Sequence, residues 1–211
     1  MKKILIICFS LFFIIPSFSQ KKEITLEDLW KNYSFFPKSY SGLNSMNDGE
    51  HYAALEKTDK GQEVIKYQFK DGKKVRTLLQ CYNFEIPKVN NYSFSLDEKK
   101  ILLETETEKI YRYSSKSTYY VYNIFTDKIK KISNDKLMYA TFSPKGDKIA
   151  YVLNNNLFIK DINSGKTTQV TYDGKKNHII NGASDWVYEE EFALVRSFEW
   201  SGDSKTIAFY K

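Results

Sequence analysis

The sequence predicts an all-β protein, a partial β-propeller of four-stranded antiparallel blades, and three observations carry that expectation. Aromatic residues make up 16% of the chain, with 16 Tyr and 15 Phe against three Met; such side chains suit half-buried pleated surfaces better than helices. A pattern of large apolar residue, polar turn and apolar strand occurs four times. Between its copies, short apolar runs alternate with turn residues, which gives three or four strands per period of about 40 to 50 residues, the spacing of propeller blades. The composition, 42% hydrophobic and 27% charged with nine Gly and four Pro, excludes disordered, collagen-like and polytopic membrane chains.

Residues 1–19 are set apart from the fold. Lys2 and Lys3 precede an apolar run from Ile4 to Ile15, followed by Pro16 and the small-residue site Ser17-Phe18-Ser19; this is the pattern of a cleavable secretory signal peptide. The run is too short for a membrane anchor, which needs about 20 residues, and it lacks the polar face of a surface helix. Cys8 lies inside the run rather than at its end, so it does not read as a lipidation site. Cleavage before Gln20 leaves 192 of the 211 residues, lowers the net charge from +6 to +4, and leaves Cys81 as the sole cysteine. An intrachain disulfide is thereby excluded although export permits one. Cys81, within Leu78-Leu79-Gln80-Cys81-Tyr82, reads as a small core residue rather than a nucleophile.

Residues 20–211 are then the N-terminal part of a propeller domain. The four repeat copies begin at Met46, Phe94, Phe142 and Trp200, at intervals of 48, 48 and 58 residues, and these four residues are expected to be equivalent. Each copy passes through a turn rich in Ser, Gly and Asp, residues that tolerate or pre-set the backbone of a tight reversal, and enters a strand such as Ile149-Ala150-Tyr151-Val152-Leu153. Further hairpins follow, at Tyr119 to Phe125 with Ile129 to Ser133, and at Leu157 to Ile162 with Thr167 to Thr171. Isolated hairpins are marginal in water, whereas blades packed face to face bury both sheet surfaces. Eleven residues follow Trp200 where a period takes 48, so the expectation is about three blades and the start of a fourth, from the N-terminal part of a longer protein.

The search for reactive groups yields little. There is no Gly-x-Ser-x-Gly elbow to present a nucleophilic serine. His51 falls at the turn of the first copy, aligned with Lys99, Asp147 and Lys205, and reads as a solvated turn residue. His178 lies in a polar loop without metal-ligand spacing. Lysines are scattered among acids with no basic stripe between stacking aromatics, so neither nucleic acid nor, after signal cleavage, a membrane is an expected partner. No cofactor or metal is expected, and the residues present supply no catalytic centre of their own.

One segment departs from the repeat. The ten-residue excess in the third interval falls at Gly182-Ala183-Ser184-Asp185-Trp186-Val187-Tyr188-Glu189-Glu190-Glu191-Phe192. Ser184 or Asp185 is a candidate cap for a short helix that carries the carboxylates in its first turns, with Trp186, Tyr188 and Phe192 expected to anchor it. Converging carboxylates favour a cation between them, and a primary ammonium, with three donors, suits several acceptor oxygens. On spacing alone, an amine clamp and a helix-start acidic patch that binds nothing stand equal.

Asp185 to Phe192 closely resembles the propeller motif of dipeptidyl peptidase IV enzymes, in the prolyl oligopeptidase family of serine peptidases. Ile24-Thr25-Leu26-Glu27-Asp28-Leu29-Trp30 and the stretch from Pro37 to Tyr52 look like bacterial members exported to the periplasm. The resemblance implies that Glu190 and Glu191 hold the free N-terminal ammonium of a peptide substrate. It also implies that Arg112, in Ile110-Tyr111-Arg112-Tyr113-Ser114, contacts the substrate's backbone carbonyl. The family's Ser, Asp and His lie in a C-terminal α/β-hydrolase domain absent from this sequence, so no catalytic residue is assigned here. The implied partners are peptides with a free N-terminus, that hydrolase domain, and a second copy in a homodimer. An extended chain advances about 3.3 to 3.6 Å per residue, so an ammonium anchor roughly 7 Å before the nucleophile selects cleavage after the second residue, here of Xaa-Pro or Xaa-Ala. The rival reading is a non-enzymatic periplasmic propeller that binds or scaffolds peptides.

Overall fold

The computed structural model describes residues 23–37 and 42–211, in two units that divide after Ser39. The signal-peptide expectation concerns residues 1–19, outside the described residues. The first unit contributes one short helix, α1 (Leu26–Trp30). Thr25 and Asp28 cap it reciprocally: Asp28 N donates to Thr25 Oγ1 at 3.1 Å and Thr25 N donates to Asp28 Oδ2 at 3.4 Å. This is a capping box with Asp in place of the more usual Glu.

The second unit is built of antiparallel sheets in which consecutive strands pair. The first blade holds β1 (Leu43–Ser45), β2 (His51–Thr58), β3 (Gly61–Gln68) and β4 (Lys74–Gln80). The second holds β5 (Val89–Phe94), β6 (Lys100–Lys109), β7 (Ser115–Asn123) and β8 (Lys128–Lys131). The third holds β9 (Met138–Phe142), β10 (Lys148–Leu153), β11 (Asn156–Asp161) and β12 (Thr167–Gln169). Two further strands, β13 (Phe198–Trp200) and β14 (Ile207–Phe209), pair as a hairpin. The chain is mostly β, with blades of four antiparallel strands, as the sequence predicts.

Strand periodicity explains how the blades stack. Side chains alternate between the two faces of a strand, and β6 uses both. Ile101 and Leu103 pack with Ala53, Val64 and Leu79 of the first blade, while Leu102 joins Ile149 and Tyr151 of the third. In β10 the alternation repeats, with Ile149 and Tyr151 on one face and Ala150 and Val152 turned to Leu157, Ala183 and Phe198. Each of these two strands is therefore buried on both faces, as blade-on-blade packing requires. Cys81 lies in the first of these clusters, and burial pushes its thiol up to about 11, which matches a packing role.

The repeat is real but its first copy is offset by one residue. The turn is closed by a backbone bond from Ser95 N to Lys100 O, from Ser143 N to Lys148 O and from Ser201 N to Thr206 O, and in the first copy from Met46 N to His51 O. The fourth turn residue takes the left-handed conformation in all four: Gly49, Glu98, Gly146 and Ser204. Met46 thus matches Ser95, Ser143 and Ser201, and Ser45 is the counterpart of Phe94, Phe142 and Trp200. His51 correspondingly matches Lys100, Lys148 and Thr206. In the later copies the serine Oγ accepts from the backbone N of Lys100, Lys148 and Thr206. Methionine cannot, and Asp48 Oδ1 accepts from His51 N in its place, besides accepting from Glu50 N as Asp97 and Asp203 accept from Lys99 N and Lys205 N. His51 is half-buried rather than fully solvated, with Nδ1 2.8 Å from Asp48 Oδ2.

Candidate functional site

The ten extra residues form an excursion from the sheet. Its stem is closed by a bridge between Ala183 and Arg196, by Ser184 N donating to Val195 O at 3.2 Å, and by Ser197 N donating to Gly182 O at 3.0 Å. Gly182 has φ of +77°, and a Cβ there would meet Val152, Leu157 and Phe198 at 3.2 to 3.3 Å. A side chain would strain this backbone and crowd the core.

Between the two sides of the stem lies α2 (Trp186–Phe192). Asp185 is the N-cap, with Oδ1 accepting from Tyr188 N at 2.9 Å, and Ala193 ends the helix in the left-handed conformation. The aromatic side chains do not anchor it, contrary to the expectation. Trp186, Tyr188 and Phe192 are more than half exposed, and Tyr188 and Phe192 lie against each other at 5.6 Å.

The anchor is an acid. Glu189, only 1% exposed, is the buried residue of the helix. Its Oε1 accepts from Tyr113 N at 2.6 Å and from Ser114 N at 2.9 Å. Burial alone would raise the carboxyl pKa, but the donors of Ser114 and Tyr113, aided by Lys109, outweigh it and hold the group below its usual range. The same carboxylate acts on Tyr139, whose phenol is pushed up first by burial and then by Glu189. Because the folded-state pKa lies below the ordinary 4.5, the stabilisation is complete above that pH and is lost as pH falls through the depressed value. Amide exchange at Tyr113 and Ser114, corrected for intrinsic rates, is therefore expected to lose protection below pH 4.5 and to stay flat above it. Constant protection down to the acid unfolding transition would contradict this assignment.

The tethered segment is the tip of the β6–β7 hairpin, closed by Ile110 N donating to Ser114 O at 3.0 Å. It carries Arg112, whose Nη1 lies 3.2 Å from Glu190 Oε2. Glu190 is largely covered, whereas the Arg112 side chain is 67% exposed. Glu191 is exposed and makes no ion pair among the described residues. Two of the three expected site residues, Arg112 and Glu190, are therefore brought into contact, with Glu191 one helical position further on. Of the three adjacent carboxylates, Glu189 is engaged by backbone N–H groups, Glu190 by the Arg112 guanidinium, and Glu191 by no cation among the described residues, so Glu190 and Glu191 together carry more negative charge than Arg112 offsets. His178 is exposed in a turn, and no three His, Cys, Asp or Glu side chains among the described residues are placed to hold a metal ion.

Glu189 is the residue that sequence reasoning missed. Its signal was the cap: once Asp185 starts the helix, Glu189 stands one turn above it and about 100° around from Glu190, so the two acids face different surroundings.

Several known proteins are similar to this chain in sequence, and one solved structure among them in fold as well. The family model of the dipeptidyl peptidase IV N-terminal region matches residues 95–211. A crystal structure of Porphyromonas gingivalis dipeptidyl peptidase 4 superposes with a TM-score of 0.79 at 36% identity, over 89% of this chain and 27% of that one. Prolyl endopeptidase FAP of Bos taurus is 30% identical over 198 residues, which is 90% of this chain and 25% of that protein. Dipeptidyl peptidase 4 of Bos taurus is 35% identical over 126 residues, or 57% of this chain and 16% of that protein. The chain thus spans about a quarter or less of the length of these relatives.

Proposed function

Because the chain belongs to the dipeptidyl peptidase IV family, whose N-terminal region it matches, we propose that it supplies substrate-amine recognition to a serine exopeptidase. Glu190 and Glu191 hold the free ammonium of a peptide, Arg112 contacts the backbone carbonyl near that terminus, and a hydrolase domain releases the N-terminal Xaa-Pro or Xaa-Ala dipeptide. The observation that carries this reading is the 3.2 Å pairing of Arg112 with Glu190, two residues from different parts of the chain that sequence proximity alone does not bring together. An ammonium offers three donors to acceptors on one helix, and its bonds to carboxylates are charge-assisted.

The same proposal has residues 1–19 removed on export to the periplasm, on the strength of Lys2, Lys3 and the Ser17-Phe18-Ser19 site. Homodimer formation belongs to the proposal by family likeness alone.

The test is the substrate amine itself. In the full-length protein, a Gly-Pro amide with a free N-terminus is expected to be cleaved with kcat/KM at least roughly tenfold above its N-acetyl derivative, which lacks the cation. Equal efficiency on both would remove the amine from the recognition scheme.

A further inference from the structure

We propose that Glu189 is a positioning residue for Arg112: it fixes the hairpin tip that carries the arginine and does not itself touch substrate. This rests on the reading of Arg112 and Glu190 as parts of the amine site.

The tip needs a tether. Residues 110–113 are exposed, and a long side chain on a mobile loop loses rotamer and backbone freedom whenever it engages a ligand. Glu189 removes much of that freedom in advance. Its buried carboxylate takes both backbone N–H groups that follow Arg112, at 2.6 and 2.9 Å, across 76 and 75 residues of sequence. Glu190, the next residue, takes the guanidinium at 3.2 Å. Arg112 is therefore held at two points by consecutive residues of one helix: at the backbone by Glu189 and at the side chain by Glu190. Helix geometry turns the two acids about 100° apart, so one faces the loop backbone while the other is free to share its second oxygen with a ligand.

The experiment uses the full-length protein with Glu189→Ala, Glu189→Gln, Arg112→Ala and the double variant Glu189→Ala/Arg112→Ala. Exchange at the Tyr113 and Ser114 amides is read beside KM and kcat on a free-amine Gly-Pro amide. Glu189→Ala is expected to speed exchange at both amides roughly tenfold or more and to cost roughly tenfold in kcat/KM, mostly through KM, since Arg112 binds the ground and transition states alike. The double variant should be no worse than Arg112→Ala, because both changes remove one function. Glu189→Gln, a neutral acceptor of the same shape, should cost only roughly two- to fivefold. It also serves if Glu189→Ala does not fold, because its deficit too should vanish in the Arg112→Ala background. Unchanged exchange in Glu189→Ala overturns the tether. Faster exchange with wild-type kcat/KM, or deficits that add to those of Arg112→Ala, overturn the positioning role. If Arg112→Ala itself costs nothing, the amine-site reading fails and this inference with it, while the exchange data still report whether the tether exists.

Discussion

Replacing Glu190 or Glu191 with Gln in the full-length protein is expected to lower kcat/KM for a free-amine dipeptide amide roughly 10- to 100-fold. Each change removes a charge-assisted hydrogen bond of about 1.5 to 3 kcal/mol to the substrate ammonium, with the larger loss expected at Glu190, the more covered of the two acceptors. Folding should be spared. The Arg112–Glu190 pair is largely open on the arginine side, and such pairs contribute about 0 to 1 kcal/mol. The N-acetyl substrate should lose little further in either variant, because the interaction is already missing. Glu27→Gln, an exposed change in α1, is the near-neutral control. Variants that fold normally and keep wild-type efficiency on the free amine would falsify the clamp, leaving the triplet as a helix start with one structural acid.

Leu103→Ala is expected to destabilise the domain by about 2 to 5 kcal/mol, the cost of deleting a buried branched side chain and leaving a cavity. Leu103 is fully buried between the first and second blades, in a cluster with Ala53, Val64 and Tyr92. With total stabilities commonly about 5 to 15 kcal/mol, that deficit should appear as a clear drop in the denaturation midpoint. Leu103→Met conserves volume and should cost less than about 1.5 kcal/mol. A change below about 0.5 kcal/mol for the alanine variant would mean that the two blades are not packed through β6.

Much of the fold is legible because it is local. The alternation of Ile101, Leu102 and Leu103 and the Ser, Gly and Asp turns specify hairpins within a few residues of themselves. The one-residue offset at Met46 is not, because the serine whose hydroxyl defines the turn is replaced there and the apolar pattern reads equally well in either register. The helix α1 is readable in principle from Thr25 and Asp28, three residues apart, but that signal is faint in a chain dominated by strands. At the site, the cap and helix at Asp185 follow from composition, and Glu190, Glu191 and Arg112 from family likeness. The role of Glu189 follows from neither. Neighbouring residues give no sign of its partners on a distant hairpin, and without them a buried glutamate among exposed aromatics runs against ordinary burial preference.

The span of the Glu189 bonds also bears on the order of assembly. Within each blade, strands pair with their sequence neighbours, pairings that close short loops and form early. The bonds from Tyr113 and Ser114 to Glu189 cross 76 and 75 residues, and they cannot form until the second blade is folded and the excursion between Gly182 and Ser197 has closed its stem. During synthesis the arginine hairpin is complete long before the acidic helix emerges. The contact between the arginine hairpin and the acidic helix is thus among the last features of this region to mature, after the strands of the second and third blades have been made.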